Sequence, residues 1–138
     1  MKKPSVQRKP TSSWHKWPVD SITVVVPLPH AHLSPNARKH WGARSGKIKK
    51  SRENACLCAK EALGRHTPPG WEYATLEVRW YSKRRCPDPD NAIAMLKSSI
   101  DGLADAGIFV NDSRLRIESV QVVRLDPESV ELCVTRVE

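Results

Sequence analysis

Three aspartates in this chain are spaced so that their carboxylates could meet at one site. Asp88 and Asp90 flank Pro89 at the predicted start of a helix, and Asp112 lies in the turn predicted to follow that helix. Clustered carboxylates repel one another unless a positive charge lies between them. A hard divalent cation such as Mg²⁺ is the usual counter-charge, because it prefers oxygen ligands and often keeps several waters. A magnesium site is therefore one interpretation of these residues.

Each of these acids also has a simpler structural explanation. Acids at a helix N-terminus are favoured by capping and by the helix dipole, and aspartate is common in turns. Spacing alone favours that structural interpretation. Lys97 favours the chemical one, because it follows Asp90 by seven residues, nearly two helical turns, and so projects in a similar direction. Lys97 could instead pair with Asp101, which lies four residues further on.

The cations of the chain are clustered within a net charge of +8. Residues 1–52 contain a single acid, Asp20, and a second basic cluster leads directly into Asp88. Such clusters attract polyanions and make phosphate binding salt-dependent, although a solvated basic surface would have the same charge. With an acidic metal pocket nearby, they indicate an enzyme that acts on a phosphate backbone. We expect the following residues to contact nucleic-acid phosphates: Arg38, Lys39, Arg44, Lys47, Lys49, Lys50, Arg52, Lys83, Arg84 and Arg85.

Length and composition limit the remaining classes of protein. A chain of 138 residues with 39% hydrophobic residues is typical of one globular domain. No apolar run approaches the ~20 residues that a membrane-spanning helix needs, so we expect no membrane contact. The basic N-terminus lacks an apolar signal core, and a domain of this size rarely needs disulfides from its four cysteines. These features predict a cytoplasmic protein.

Hydrophobic periodicity predicts an α+β domain with the element order β-α-β-α-β-β. The predicted strands are residues 21–27, 74–82, 115–125 and 130–137, and the predicted helices are residues 46–63 and 89–106. Asp88 is the expected N-cap of the second helix, Pro89 its first residue and Gly107 its stop. We expect a mixed sheet packed by two helices within residues 20–138, and a disordered basic tail at residues 1–19.

A series of motifs in the second half of the chain resembles one family. In order, these are Asp88-Pro89-Asp90-Asn91, Leu96-Lys97, Ile100-Asp101-Gly102-Leu103, Ala106-Gly107 and Asn111-Asp112-Ser113. The series resembles the RusA family of Holliday-junction resolvases, which has D-x-D-N, a helical lysine, a D-[AG]-L segment and an acid before the next strand. The N-terminal half agrees through Pro27-Leu28-Pro29, Leu33-Ser34-Pro35-Asn36 and the basic helix. The resemblance covers about residues 22–137.

This resemblance implies a RusA-like fold and a homodimeric, Mg²⁺-dependent endonuclease that hydrolyses phosphodiester bonds in four-way DNA junctions during recombination and repair. Such a crossover junction endodeoxyribonuclease would be bacterial or phage-encoded. By motif, Asp88, Asp90 and Asp112 would be the catalytic acids that hold one or two Mg²⁺ ions, with Mn²⁺ as an alternative. Lys97 would be the catalytic lysine and Asn91 a supporting residue. Two alternatives stay open: a non-catalytic DNA-binding module whose acids only cap a helix, and a nuclease for other branched nucleic acids.

Overall fold

Alternating apolar residues build the buried face of a four-stranded sheet. The computed structural model of the protein describes residues 15–35, 41–84 and 87–137. Within these ranges it is a small α+β domain with a mixed sheet and three helices. The strands are β1 His15–Lys16, β2 Ser21–Val26, β3 His66–Thr67, β4 Ala74–Tyr81, β5 Leu115–Val123 and β6 Ser129–Arg136. The helices are α1 Trp41–Leu63, α2 Pro89–Met95 and α3 Lys97–Asp105.

The main sheet has the strand order β2-β6-β4-β5. β4 and β5 are parallel, whereas β6 is antiparallel to both β2 and β4. A parallel pair needs a crossover connection, and α2 and α3 supply it between β4 and β5. The connection returns the chain from the end of β4 to the start of β5, where Leu115 pairs with Ala74. The three predicted acids lie along this crossover.

The helices cover one face of the sheet and pack closely on one another. The buried face includes Val24, Leu76 and Leu132, which alternate along their strands with more exposed residues. α1 contacts α3 through Gly102, where an added Cβ would lie 2.4 Å from the carbonyl oxygen of Arg52. Glycine at this position therefore sets how closely α1 and α3 approach. This contact fixes α3 against the basic helix.

The observed elements differ from the predicted ones at three places. α1 begins at Trp41, whereas the predicted helix began at residue 46. The prediction missed the first turn because the residues before Gly46 carry no apolar periodicity. The second predicted helix is interrupted at Leu96, whose N–H is shared between the carbonyls of Ala92 and Ile93. The described ranges therefore contain three α-helices where the sequence predicts two. None of the helices in the described ranges has the length and apolar content needed to cross a membrane.

The described residues include part of the segment predicted to be a tail. β1, at residues 15–16, pairs in parallel with β3, and the side chain of Trp17 lies edge-on to the ring of His66. The indole N–H of Trp17 also donates a hydrogen bond of 3.0 Å to the carbonyl of Ser21. A two-residue strand has no periodicity to detect in sequence, so the prediction missed it. Residues 1–14 of the predicted tail lie outside the described ranges.

Candidate nuclease site

Asp88 occupies the predicted N-cap position, but its side chain does not cap the helix. Its backbone is extended, with φ −62° and ψ 155°, and Pro89 follows as the first helical residue. The carbonyl oxygen of Asp88 accepts the N–H of Ala92 at 2.8 Å, whereas its carboxylate makes no capping hydrogen bond. Asp88 therefore occupies the N-cap position, but a capping hydrogen bond does not explain why the residue there is an acid.

The carboxylate of Asp88 belongs to a cleft of about 750 Å³. Asn91, one turn into α2, lines the same cleft, as do His30 and Glu128. Ser82 donates a hydrogen bond of 2.8 Å to Glu128, which holds the β5–β6 turn against the end of β4. The cleft thus combines two acids, an amide, an imidazole and the guanidinium of Arg84 with apolar residues such as Trp80 and Met95.

Lys97 lies between two carboxylates, and one of them is the predicted site residue Asp112. Its ammonium nitrogen is 2.8 Å from Oδ1 of Asp101 and 2.5 Å from Oδ2 of Asp112. Hydrogen bonds to Asp101, and next to Asp112, raise the pKa of Lys97. The hydrogen bond from Lys97 lowers the pKa of Asp112 below the usual range for a carboxyl group. The pKa shifts of Lys97 and Asp112 therefore both favour the charged forms of this pair near neutral pH.

The turn that carries Asp112 is shaped by its neighbours. Asn111 caps the 3₁₀ turn Asp112–Arg114, because its side-chain oxygen accepts the N–H of Ser113 at 2.9 Å. Gly107, with φ 89°, ends the helical segment as predicted and redirects the chain toward this turn. An aspartate fifteen residues after Lys97 is in this way brought back against it. The structure therefore joins Lys97 to Asp112 through the turn chemistry of residues 107–113.

Asp90 is exposed in the first turn of α2 and lies about 10 Å of helical rise before Lys97. In the part of the chain that the structure describes, no three His, Cys, Asp or Glu side chains form a group that could hold a metal ion. The chemistry of the donors nevertheless fits Mg²⁺, since all three aspartates offer hard oxygens and Asp112 already binds a cationic group. Convergence of Asp88 and Asp90 with Asp112 on one ion stays a prediction.

The predicted DNA-binding cations fall into three sets. Arg38, Lys39 and Arg85 lie outside the described residues. Several others contact protein groups: Arg44 donates to the carbonyl of Ser34, Lys83 pairs with Asp126, and Arg84 pairs with Glu128. Arg52 forms two hydrogen bonds to Asp105, at 2.6 and 2.9 Å. The remaining set lies on the N-terminal half of α1 and comprises Lys47, Lys49 and Lys50.

One loop lies beside both the acids and the cations. Residues 28–30 line the cleft that contains Asp88, and they also line a second cleft of about 240 Å³. That second cleft is bordered by Lys47 and Lys50 of α1. The sequence separates Asp88 from Lys50 by 38 positions, and the fold places both in clefts that the same loop lines.

Two acids outside the predicted site take part in these contacts. The sequence offers Asp101 as a partner for Lys97 and as part of the motif Ile100-Asp101-Gly102-Leu103, and in the structure the shared ammonium of Lys97 connects it to Asp112 as well. Glu128 lies in the turn between β5 and β6, and its place beside Asp88 follows from strand order rather than from a motif. His30 was left out of the predicted site, and it lines the cleft of Asp88.

Comparison with known proteins adds one relative. No family model matches the sequence. An uncharacterized protein of Xylella fastidiosa (strain Temecula1 / ATCC 700964) is 37% identical to this chain over 101 residues. The similar region covers 67% of this chain and 61% of that protein, so the chain matches about three-fifths of its relative's length. The similarity therefore extends over about two thirds of this chain and carries no statement about activity.

Proposed function

We propose that the protein is a Mg²⁺-dependent endodeoxyribonuclease of the RusA type that resolves four-way DNA junctions as a homodimer. The observation that carries this proposal is the loop at residues 28–30, which lines both a cleft containing Asp88 and Asn91 and a cleft bordered by Lys47 and Lys50. A nuclease needs acids for its metal and cations for its polyanionic substrate, and this loop is shared by one proposed metal-binding acid and two proposed DNA-binding lysines.

In this proposal Asp88, Asp90 and Asp112 hold the metal, and Asn91 supports the acids from the first turn of α2. When bound, the cation supplies Lewis acidity that lowers the pKa of the attacking water and neutralises charge on the phosphate oxygens. Lys97, which contacts Asp112 in the metal-free structure, is the cation that stabilises the negative charge developing at the scissile phosphate. Attack by water in line with the P–O3′ bond would form the new P–O bond, break the P–O3′ bond, and leave a 3′-hydroxyl and a 5′-phosphate.

The basic residues of α1 hold the DNA through its backbone. Lys49 and Lys50 are exposed, and Lys47 is half-buried beside the loop at residues 28–30. Phosphate contacts of this kind position a duplex and carry little sequence information. A junction with two-fold symmetry suits a dimer with one site in each protomer, which is why we propose a homodimer.

The test is the substitution Asp90→Asn, assayed for cleavage and for binding of a four-way junction. Cleavage should fall below detection, while junction affinity stays at the wild-type level or rises, because one negative charge near the phosphates is removed. Asp105→Asn is the matched control: it makes the same change in α3, and it should cleave at the wild-type rate. Near-normal cleavage by Asp90→Asn would exclude this site.

A non-catalytic DNA-binding module is the second candidate, and the absence of a metal-binding group of three side chains within the described ranges favours it. That module would bind junctions without Mg²⁺ and would never cut them. The uncapped carboxylate of Asp88 argues against it, since a module whose acids only cap helices has no use for that group.

A further inference from the structure

We propose that Asp101 is the positioning residue for Lys97, and that it retains the lysine when Asp112 exchanges the ammonium for a divalent cation. This inference rests on the proposed function, because it concerns the same metal-binding acid. It assigns a role to an acid that is neither a metal ligand nor a catalytic residue. The starting point is the shared ammonium of Lys97, which contacts one carboxylate on its own helix and one on the following turn.

Asp112 cannot serve both cations through the same oxygen. Its Oδ2 is the atom that contacts Lys97, and a divalent ion at that oxygen would repel the ammonium at short range. Metal binding at Oδ2 of Asp112 therefore requires Lys97 to move away from this oxygen. A long and exposed lysine side chain without a second anchor would then be free to swing into solvent.

Asp101 supplies that second anchor. It lies one helical turn after Lys97, and its side chain is 27% exposed, compared with 38% for Asp112 and 62% for Lys97. Asp101 is therefore the most enclosed of the three groups. Its bond to Lys97 stays within one helix, so a change at the turn of Asp112 leaves the bond intact. Lys97 would thereby remain close to the phosphate that the metal binds.

Helix stability is a poor explanation for this pair. A lysine four residues before an acid is the weaker of the two orientations of such pairs, because it opposes the helix dipole. Lys97 is also the first residue of α3, where a positive charge is disfavoured. The carboxylates of Asp101 and Asp112 offset the unfavourable interaction between this ammonium and the helix dipole. A role in holding the ammonium at the site accounts for the arrangement, whereas local helix formation does not.

The experiment is a double-mutant cycle on metal affinity in the DNA-free, full-length protein. Mn²⁺ binding is measured by the electron paramagnetic resonance signal of the free ion, for wild type, Lys97→Met, Asp101→Asn and the double variant. Removing the competing ammonium in Lys97→Met should tighten binding by about two- to fivefold, the range that partly exposed ion pairs support. Asp101→Asn should weaken binding by a similar factor, because the displaced lysine then has no partner.

The decisive comparison is the effect of Asp101→Asn with and without Lys97. If Asp101 acts through the lysine, its removal should change affinity by less than about 1.5-fold in the Lys97→Met background. An equal effect in both backgrounds would overturn the inference, because Asp101 would then be only an acid near the metal. No effect in the wild-type background would overturn it too. Asp105→Asn, which removes the same charge from α3, should leave Mn²⁺ affinity unchanged.

Two further measurements keep the result interpretable. Circular dichroism melting establishes that each variant is folded, and Asp101→Glu, which keeps the charge, should retain wild-type Mn²⁺ affinity. If Mn²⁺ affinity is as low in Asp101→Glu as in Asp101→Asn, the proposed role of the Asp101 charge in holding Lys97 is wrong. If the wild-type protein binds no Mn²⁺ at millimolar concentration, the proposed function fails together with this inference. If it binds Mn²⁺ and the cycle shows no coupling, only the inference fails.

Discussion

The ammonium of Lys97 lies 2.5 Å from Oδ2 of Asp112, although fifteen residues separate the two in the chain. This contact joins the first residue of α3 to the turn before β5, and both groups are partly exposed to solvent. A buried ion pair would be a structural element, but an exposed one remains accessible to a substrate. The pair is therefore the part of the candidate site that the fold assembles most directly.

The first prediction concerns the rate of junction cleavage. Lys97→Met should lower the single-turnover rate by about 10²-fold, the usual cost of removing one group that stabilises transition-state charge. Junction affinity should change by less than about threefold, because the proposed DNA-binding cations lie on α1 and Lys97 lies on α3. Rapid-quench cleavage and gel-shift titration measure the two quantities. A wild-type cleavage rate would show that Lys97 has no part in the reaction.

The second prediction concerns the contact between α1 and α3. A Cβ at position 102 would lie 2.4 Å from the carbonyl oxygen of Arg52 and 2.8 Å from Cβ of Ala55. Gly102→Ala should therefore lower the free energy of unfolding by about 1–3 kcal/mol, as overpacked cores do. Urea denaturation measures this change.

Gly46→Ala is the control for that substitution. Gly46 lies inside α1, and nothing is within 4 Å of an added Cβ there. Alanine at this position should raise the free energy of unfolding by about 0.5–1 kcal/mol, since glycine is a poor helix former. Equal effects of the two substitutions would mean that position 102 is not a close contact.

The third prediction is the pH dependence of the ion pair between Arg52 and Asp105. The hydrogen bonds from Arg52 lower the pKa of Asp105. A carboxyl group with a lower pKa in the folded state than in the unfolded state stabilises the fold at pH values above the unfolded pKa of about 3.9. That stabilisation is lost as the pH falls through the folded-state pKa.

Arg52→Gln should therefore be less stable than wild type above about pH 5, and the difference should shrink as the pH falls below about 3.9. Urea denaturation between pH 2 and pH 7 measures the difference, provided that both proteins are folded across the range. A difference in stability that does not vary with pH would show that the contact with Arg52 does not lower the pKa of Asp105. Asp105→Asn should remove the pH dependence of the Arg52 substitution.

The fourth prediction concerns DNA binding by α1. Lys50→Gln should reduce the slope of log affinity against log salt concentration by about one, because one phosphate contact is lost. Arg116→Gln is the control, since Arg116 is an exposed cation on β5 that pairs with Glu118 and is outside the predicted DNA surface. Fluorescence anisotropy on a junction measures both slopes. An unchanged slope for Lys50→Gln would place that residue away from the DNA.

Capping preferences were enough to predict the two ends of the helical segment between β4 and β5, which comprises α2 and α3. Pro89 opens it, Gly107 stops it, and Asp88 takes the N-cap position, all as capping preferences predict. The same preferences do not predict that the side chain of Asp88 makes no capping hydrogen bond. Whether a side chain turns toward the helix or toward a cleft depends on neighbours such as Glu128, which the strand order brings from 40 positions away.

Contacts between distant segments were the part that periodicity could not supply. Arg52 was predicted to bind DNA because it lies in a run of cations, and the structure pairs it with Asp105, 53 positions away. The pair of Lys97 with Asp101 was predictable from helical spacing, whereas its contact with Asp112 depends on a turn of non-repetitive backbone. Charge runs identify candidates, and tertiary packing decides which of them keep a free charge.

The most direct test of the account is cleavage of a mobile four-way junction by the wild-type protein, with and without Mg²⁺. Linear duplex DNA and hairpin RNA of the same length are the parallel substrates, and Asp112→Asn is the inactive control. The account predicts paired cuts in opposite strands of the junction, only with Mg²⁺, and no cuts in the other substrates or by Asp112→Asn. Junction binding without any Mg²⁺-dependent cleavage would contradict it.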